Sequence, residues 1–157
     1  MSVQQKQLPK IILGLMAMRW PLAFGIIRQA IKRCLPQLKN SDFTFGFECQ
    51  FGNIYAENVW LGDTIFIDHV PVHIGSGTQF SRGNMVITGT HDPCDFNKAI
   101  FKEVNIGKNC WITSRVTILP GVNIGDNTII GAGSVVTENI PANCIAVGVP
   151  CKVLRYL

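Results

Sequence analysis

Residues Val104–Arg155 read VNIGKNCWITSRVTILPGVNIGDNTIIGAGSVVTENIPANCIAVGVPCKVLR, and a period of six runs through them. From Ile106 the chain divides into IGKNCW, ITSRVT, ILPGVN, IGDNTI, IGAGSV and VTENIP. The leading position holds Ile106, Ile112, Ile118, Ile124, Ile130 and Val136, all β-branched aliphatics. The fifth holds Cys110, Val116, Val122, Thr128, Ser134 and Ile140, all small or β-branched. Gly and Asn recur between them, as tight corners require. Six is neither the period of an amphipathic helix nor that of a simple hairpin. It fits a short strand, a corner and another short strand, with about 18 residues closing one triangular turn. Residues 18 apart then stack, Ile106 on Ile124, Ile112 on Ile130 and Ile118 on Val136. The aliphatic row fills the prism, because β-branched side chains suit a packed pleat.

Upstream the rhythm loosens. Leu61, Ile67, Ile74, Phe80 and Val86 keep near-six spacing, with a slip between Ile67 and Ile74 that reads as a bulged corner. Coils are expected from about Phe43. The phase breaks after His91 and resumes at Ile106, which predicts an excursion loop over residues 92–103 opening on the turn signal Asp92-Pro93. This gives two parts: a segment 1–42 and a prism 43–157. Within the first, Ile12, Leu15 and Met16, then Ile26, Ile27, Ala30 and Ile31, lie at helical spacings. Pro21 separates two short helices and Pro36 ends the second.

Composition bounds the rest. The 157 residues carry 14 Lys+Arg and 10 Asp+Glu, 15% charged in all, with 47% hydrophobic residues, which excludes a disordered chain. Seven of the bases (Lys6, Lys10, Arg19, Arg28, Lys32, Arg33, Lys39) precede residue 42 without one acid, so the prism itself is mildly acidic and no nucleic-acid surface is expected on it. Two readings of the basic segment stand: a cap that covers the open end of the solenoid, or an amphipathic anchor on an anionic inner-membrane face. No apolar run approaches the roughly 18 residues of a spanning helix, and no cleavage site marks a secretory leader. The six cysteines form no CxxC and match no zinc module, so reduced thiols in a cytoplasmic protein are expected.

The repeats and the ending IPAN…VGVPCKV resemble the hexapeptide-repeat acyltransferases, in particular the bacterial sugar O-acetyltransferases. The resemblance covers residues 60–157 well and residues 1–42 hardly at all. It implies an all-β fold, a left-handed parallel β-helix, assembled as a homotrimer with acetyl-CoA between neighbouring prisms. The handedness comes from the resemblance, since ordinary parallel crossovers are right-handed.

Transfer of an acyl group from a thioester to an alcohol needs a base for the hydroxyl proton, and an imidazole suits that task. His91, in ITGTHDP, stands where the repeat yields to the excursion, and the resemblance implies that it is this base. Asp68, in FIDHV, matches a position commonly Asn in the family. It is either a second catalytic group that orients the imidazole or the acceptor, or a corner Asp bonded to backbone. For the coenzyme, the resemblance implies the Ser114 backbone N–H on the thioester oxygen and Ala132 and Thr137 along the pantetheine arm. Arg155 and Lys152 are expected near the phosphates, and Trp111 beside coenzyme or acceptor. Glu138 stands where the family commonly has Lys. Metal is not expected: His69 and His73 form HxxxH, a zinc signature only on a helix. A γ-type carbonic anhydrase would need a further His in DPCDFNKAIF. The expected function is acetyl transfer to a sugar hydroxyl of a surface-polysaccharide precursor. Rival readings are another small acceptor (amino sugar, serine or xenobiotic) or a non-catalytic scaffold.

Overall fold

The computed structural model describes residues 24–44 and 46–157. Three parallel ladders form the sides of a prism. Face A stacks β1 (Leu38–Lys39), β3 (Ile54–Glu57), β5 (Val72–Ile74), β10 (Val104–Ile106) and β13 (Asn123–Ile124). Face B stacks β6 (Gln79–Phe80), β11 (Trp111–Ile112), β14 (Ile129–Ile130) and β16 (Cys144–Val147), with β17 (Lys152–Tyr156) added antiparallel at its end. Face C stacks β2 (Glu48–Cys49), β4 (Ile65–Ile67), β7 (Met85–Ile87), β12 (Thr117–Ile118) and β15 (Val135–Val136). Ile106 pairs with Ile124, Ile112 with Ile130 and Ile118 with Val136, as the period of six predicts. All six leading residues are buried, as are all six fifth-position residues. Each aliphatic removed from water this way contributes about 1.5–3 kcal/mol.

The corners explain the polar letters of the repeat. Between faces A and B, Asn58, Asn109, Asn127 and Asn143 all take left-handed φ of 53–57°. Asn tolerates this conformation better than other side-chain-bearing residues. Asn127 donates from Nδ2 to Asn143 Oδ1 at 2.9 Å, so the corner is also an amide ladder. Gly77 occupies the same column at φ +79°, where a Cβ would run into Asn109 Oδ1.

Three expectations need correction. The ladder starts at Leu38, ahead of Phe43, because β1 already pairs with β3. On face C the inward residue is Phe66 rather than Ile67, which is half-exposed. Rings fill this end of the prism, where Phe47 meets Phe66 at 5.9 Å and Phe66 meets Phe80 at 6.1 Å. The excursion is an ordered hairpin of β8 (Gly89–Asp92) and β9 (Asp95–Phe101), so it begins before His91. It is inserted between faces C and A; across it, stacked residues lie 32 apart instead of 18, as in the bond from Cys110 N to Thr78 Oγ1.

Helix α1 (Phe24–Cys34) ends two residues before Pro36. Its Ile31, and Leu35 just beyond, are buried with Leu38 and Phe43 at the open end of the prism. Arg28 and Lys32 both reach Asp42, at 3.3 and 3.6 Å. The first of the two expected helices lies outside the described residues. Among the described residues no helix is long and apolar enough to cross a membrane.

Candidate active site

His91, Asp68, Thr137, Ser114 and Ala132 distribute over two corners of the prism, on either side of face C, while Trp111, Lys152 and Arg155 lie on strands of face B. His91 lies on β8, opposite Ala99 on β9, so the hairpin carries it out from the corner between faces C and A. It is exposed, and its imidazole has no hydrogen-bond partner among the described residues. The adjacent Asp92 fixes the turn. Its carboxylate accepts from Cys94 N–H at 2.9 Å and from Lys98 Nζ at 3.2 Å. These bonds, the backbone one first, hold its pKa below the ordinary 3.8. The root of the hairpin is set by rings: His69 packs 4.7 Å from Phe51 and 5.0 Å from Phe101.

Asp68 is placed differently from a group that would meet substrate. It is fully buried, and its carboxylate accepts three backbone N–H groups from the neighbouring corner: Gln50 at 2.8 Å, Phe51 at 3.1 Å and Asn53 at 2.5 Å. The geometry supports the corner role over the catalytic one, with the bonds going to the adjacent coil rather than to its own backbone.

At the opposite edge of face C, between faces B and C, runs an open cleft of about 680 Å³. Ser114, Ala132 and Gly133 line it, with Arg82, Arg115 and Asp63. Arg115 N bonds Arg82 O and Gly133 N bonds Ser114 O, so Arg82, Ser114 and Ala132 stand one above another along the corner. The N–H groups of Ser114 and Ala132 have no protein acceptor among the described residues. Trp111 lies beside this corner on face B, half-exposed, its Nε1–H donating to Ser81 Oγ at 3.1 Å.

Thr137 is exposed just past β15, on the same corner column as the hairpin rather than on the cleft. Arg155 is exposed on β17, with no ion pair among the described residues. Lys152 is committed: its Nζ lies 2.7 Å from Glu138 Oε2. The residue that departs from the family pattern thus neutralises a cation expected to face phosphate, in an exposed pair worth about 0–1 kcal/mol. Cys151 is buried, and burial raises its pKa, as it does for Cys49 and Cys110. Among the described residues no three His, Cys, Asp or Glu gather as a metal site.

Sequence reasoning missed Asp63, Arg82 and Arg115. The signal was available for Arg82, since it holds the same corner offset as Ser114, one coil earlier. The hairpin's insertion masks the register between them.

The family model described as bacterial transferase hexapeptide (six repeats) matches residues 103–138. A galactoside O-acetyltransferase of Escherichia coli K12 is 38% identical over 119 residues, 73% of this chain and 57% of that protein. The chain therefore spans little more than half the length of that curated relative. The crystal structure of a maltose O-acetyltransferase from Clostridium difficile 630 superposes with a TM-score of 0.79 at 34% identity, covering 94% of this chain and 83% of that one. A galactoside acetyltransferase in complex with coenzyme A superposes at 0.80 with 30% identity, covering 94% and 78%.

Proposed function

The chain belongs to the hexapeptide-repeat acetyltransferases and has their left-handed parallel β-helix, and from that premise we propose that it transfers acetyl from acetyl-CoA to a sugar hydroxyl, with His91 as general base. The observation that carries the proposal is the pair of edges flanking face C: an open cleft with N–H groups at Ser114 and Ala132, and an imidazole on the hairpin, all without a partner among the described residues.

In one chain these edges are kept apart by the width of a face. A threefold ring with face C turned toward the axis brings the cleft edge of one chain against the hairpin edge of the next. Face C has the surface for it. Past the exposed Glu48 on its first coil, its outward side chains are Ile65, Ile67, Met85, Ile87, Thr117 and Val135, all half-buried. Face A instead presents Asn105 and Asn123, bonded to each other at 2.9 Å. A heterologous contact of this kind closes when the rotation is a third of a turn. The assembly proposed is therefore a homotrimer with three shared sites.

In each site His91 takes the proton of the acceptor hydroxyl as its oxygen attacks the thioester carbonyl. The negative charge that develops on the carbonyl oxygen is met by the Ser114 N–H; a donor of this kind is worth about 3 kcal/mol of barrier. Collapse expels the coenzyme thiolate, which takes the proton back from the imidazolium. Ala132 lines the pantetheine arm, with Thr137, Trp111 and Arg155 as further coenzyme contacts. Lys152 joins them only by leaving Glu138.

The acceptor proposed is a hydroxyl of a glycan, as in surface-polysaccharide synthesis, in the cytoplasm. The galactoside and maltose acetyltransferases to which the chain is similar support the sugar class. For the N-terminal segment, the burial of Ile31 and Leu35 and the engagement of Arg28 and Lys32 on Asp42 favour the cap over the membrane anchor. The test is release of free coenzyme from acetyl-CoA with candidate sugars. His91→Ala lowers turnover by roughly 10²–10⁴-fold while thermal protection by coenzyme A is kept. Undiminished turnover removes His91 from the mechanism, and absence of protection favours a scaffold.

A further inference from the structure

Arg82 and Arg115 lie in the cleft without an assigned partner. Both are exposed, and neither guanidinium makes a hydrogen bond or ion pair among the described residues. Among the described residues one acid lines the cleft, Asp63, and it is already engaged, its Oδ1 accepting Gly83 N–H at 2.7 Å. The cleft therefore holds two guanidiniums against one occupied carboxylate. Arg115 stands at φ +58°, a left-handed conformation unusual for its type, on the coil of Ser114. Arg82 stacks on Ser114 from the side opposite Ala132.

That order along the corner assigns the charges. In the acetyl-transfer reading, on which this inference rests, the pantetheine arm reaches Ser114 from the Ala132 side. The arm ends at Ser114, where the thioester reacts. The cleft continues past that point to Arg82 and Asp63, space that the coenzyme does not fill. A guanidinium fork matches carboxylate or phosphate oxygens two at a time, which an ammonium does not. We propose that Arg82 and Arg115 form an anion subsite for the acceptor, so that the preferred substrate is an acidic sugar carrying a carboxylate or phosphate near the hydroxyl that is acetylated.

The experiment follows binding by protein-observed NMR and, separately, coenzyme release, with methyl glucuronide, glucose 6-phosphate and methyl glucoside. The comparison is with the double variant R82Q/R115N, in which Asn suits the left-handed backbone at 115. The unaltered chain is expected to bind at least one of the acidic sugars about tenfold more tightly than the neutral one, the glucuronide and phosphate arms separating the two anions. The preference weakens with added salt and disappears in the double variant, whose affinity for acetyl-CoA is unchanged. Equal binding of all three sugars overturns the subsite, as does a preference that survives in the variant. A loss of acetyl-CoA affinity in the variant also overturns it, by assigning the arginines to the coenzyme. A chain that selects the acidic sugar but transfers nothing upholds the subsite and contradicts the acetyltransferase reading. Equal turnover of acidic and neutral sugars does the reverse.

Discussion

Asp68 shows how two residues of similar promise in the sequence separate in three dimensions. His91 and Asp68 both fall at corners between faces C and A. His91 leaves the corner on a hairpin strand and stays exposed, whereas Asp68 turns inward onto Gln50, Phe51 and Asn53. Replacing Asp68 by Ala strands three backbone N–H groups, each costing about 1–3 kcal/mol. Asp68→Ala is therefore expected to lose about 3 kcal/mol or more of stability in denaturant titration. Normal stability with lost turnover would instead make Asp68 a catalytic group. The sequence could not decide this, because an Asp after a short strand looks the same whether its carboxylate bonds backbone or faces solvent. His91 stood out for a different reason: it sits where the looser upstream rhythm breaks off before the strict repeat resumes at Ile106.

The repeat made the strands from Val104 to Val136 readable residue by residue, since every sixth side chain points inward and no other period accounts for the pattern, whereas the antiparallel β17 lies past its last unit. The hairpin was not readable in this way. Its strand Asp95–Phe101 is almost entirely exposed, so no alternation of burial announces it. What orders it is local, the Asp92 turn and the packing of Phe101 on His69. The Asp92 carboxylate titrates below its ordinary value, so its bonds are intact at neutral pH and are lost as pH falls through that lowered value. Asp92→Ala is expected to speed amide exchange across residues 89–101 and to lower turnover through a less fixed His91, with exchange in the prism unchanged. Unchanged exchange in the hairpin would mean that the turn does not hold it. The start of the prism was also hidden. Leu38–Lys39 is too short to carry a phase, and is identified only by its pairing with β3.

No single chain brings the cleft to the hairpin, so the proposed activity belongs to the assembly. The sequence held the apolar row of face C, but its members alternate with inward Phe66 and Val86. Without knowing which parity faces inward, neither row could be called the outer one. Met85 lies in this outer row, half-exposed. Met85→Glu is expected to yield folded monomers by light scattering, with an unchanged far-ultraviolet spectrum and no turnover. An intact trimer carrying Glu there would place the interface on another face.

Shared sites are tested most directly by mixing two chains that are inactive for different reasons. One carries His91→Ala and lacks the base; the other carries Ala132→Trp, which fills the cleft, and keeps the base. After subunit exchange at equal concentrations, a site is complete only where an intact hairpin edge meets an intact cleft edge. The measured quantity is coenzyme release by the mixture. The expected result is recovery to about a quarter of the unaltered enzyme's rate, the statistical share of complete sites in a mixed ring. Mixed trimers that form, as seen by native mass spectrometry, but remain as inactive as either parent would contradict a site built from two chains.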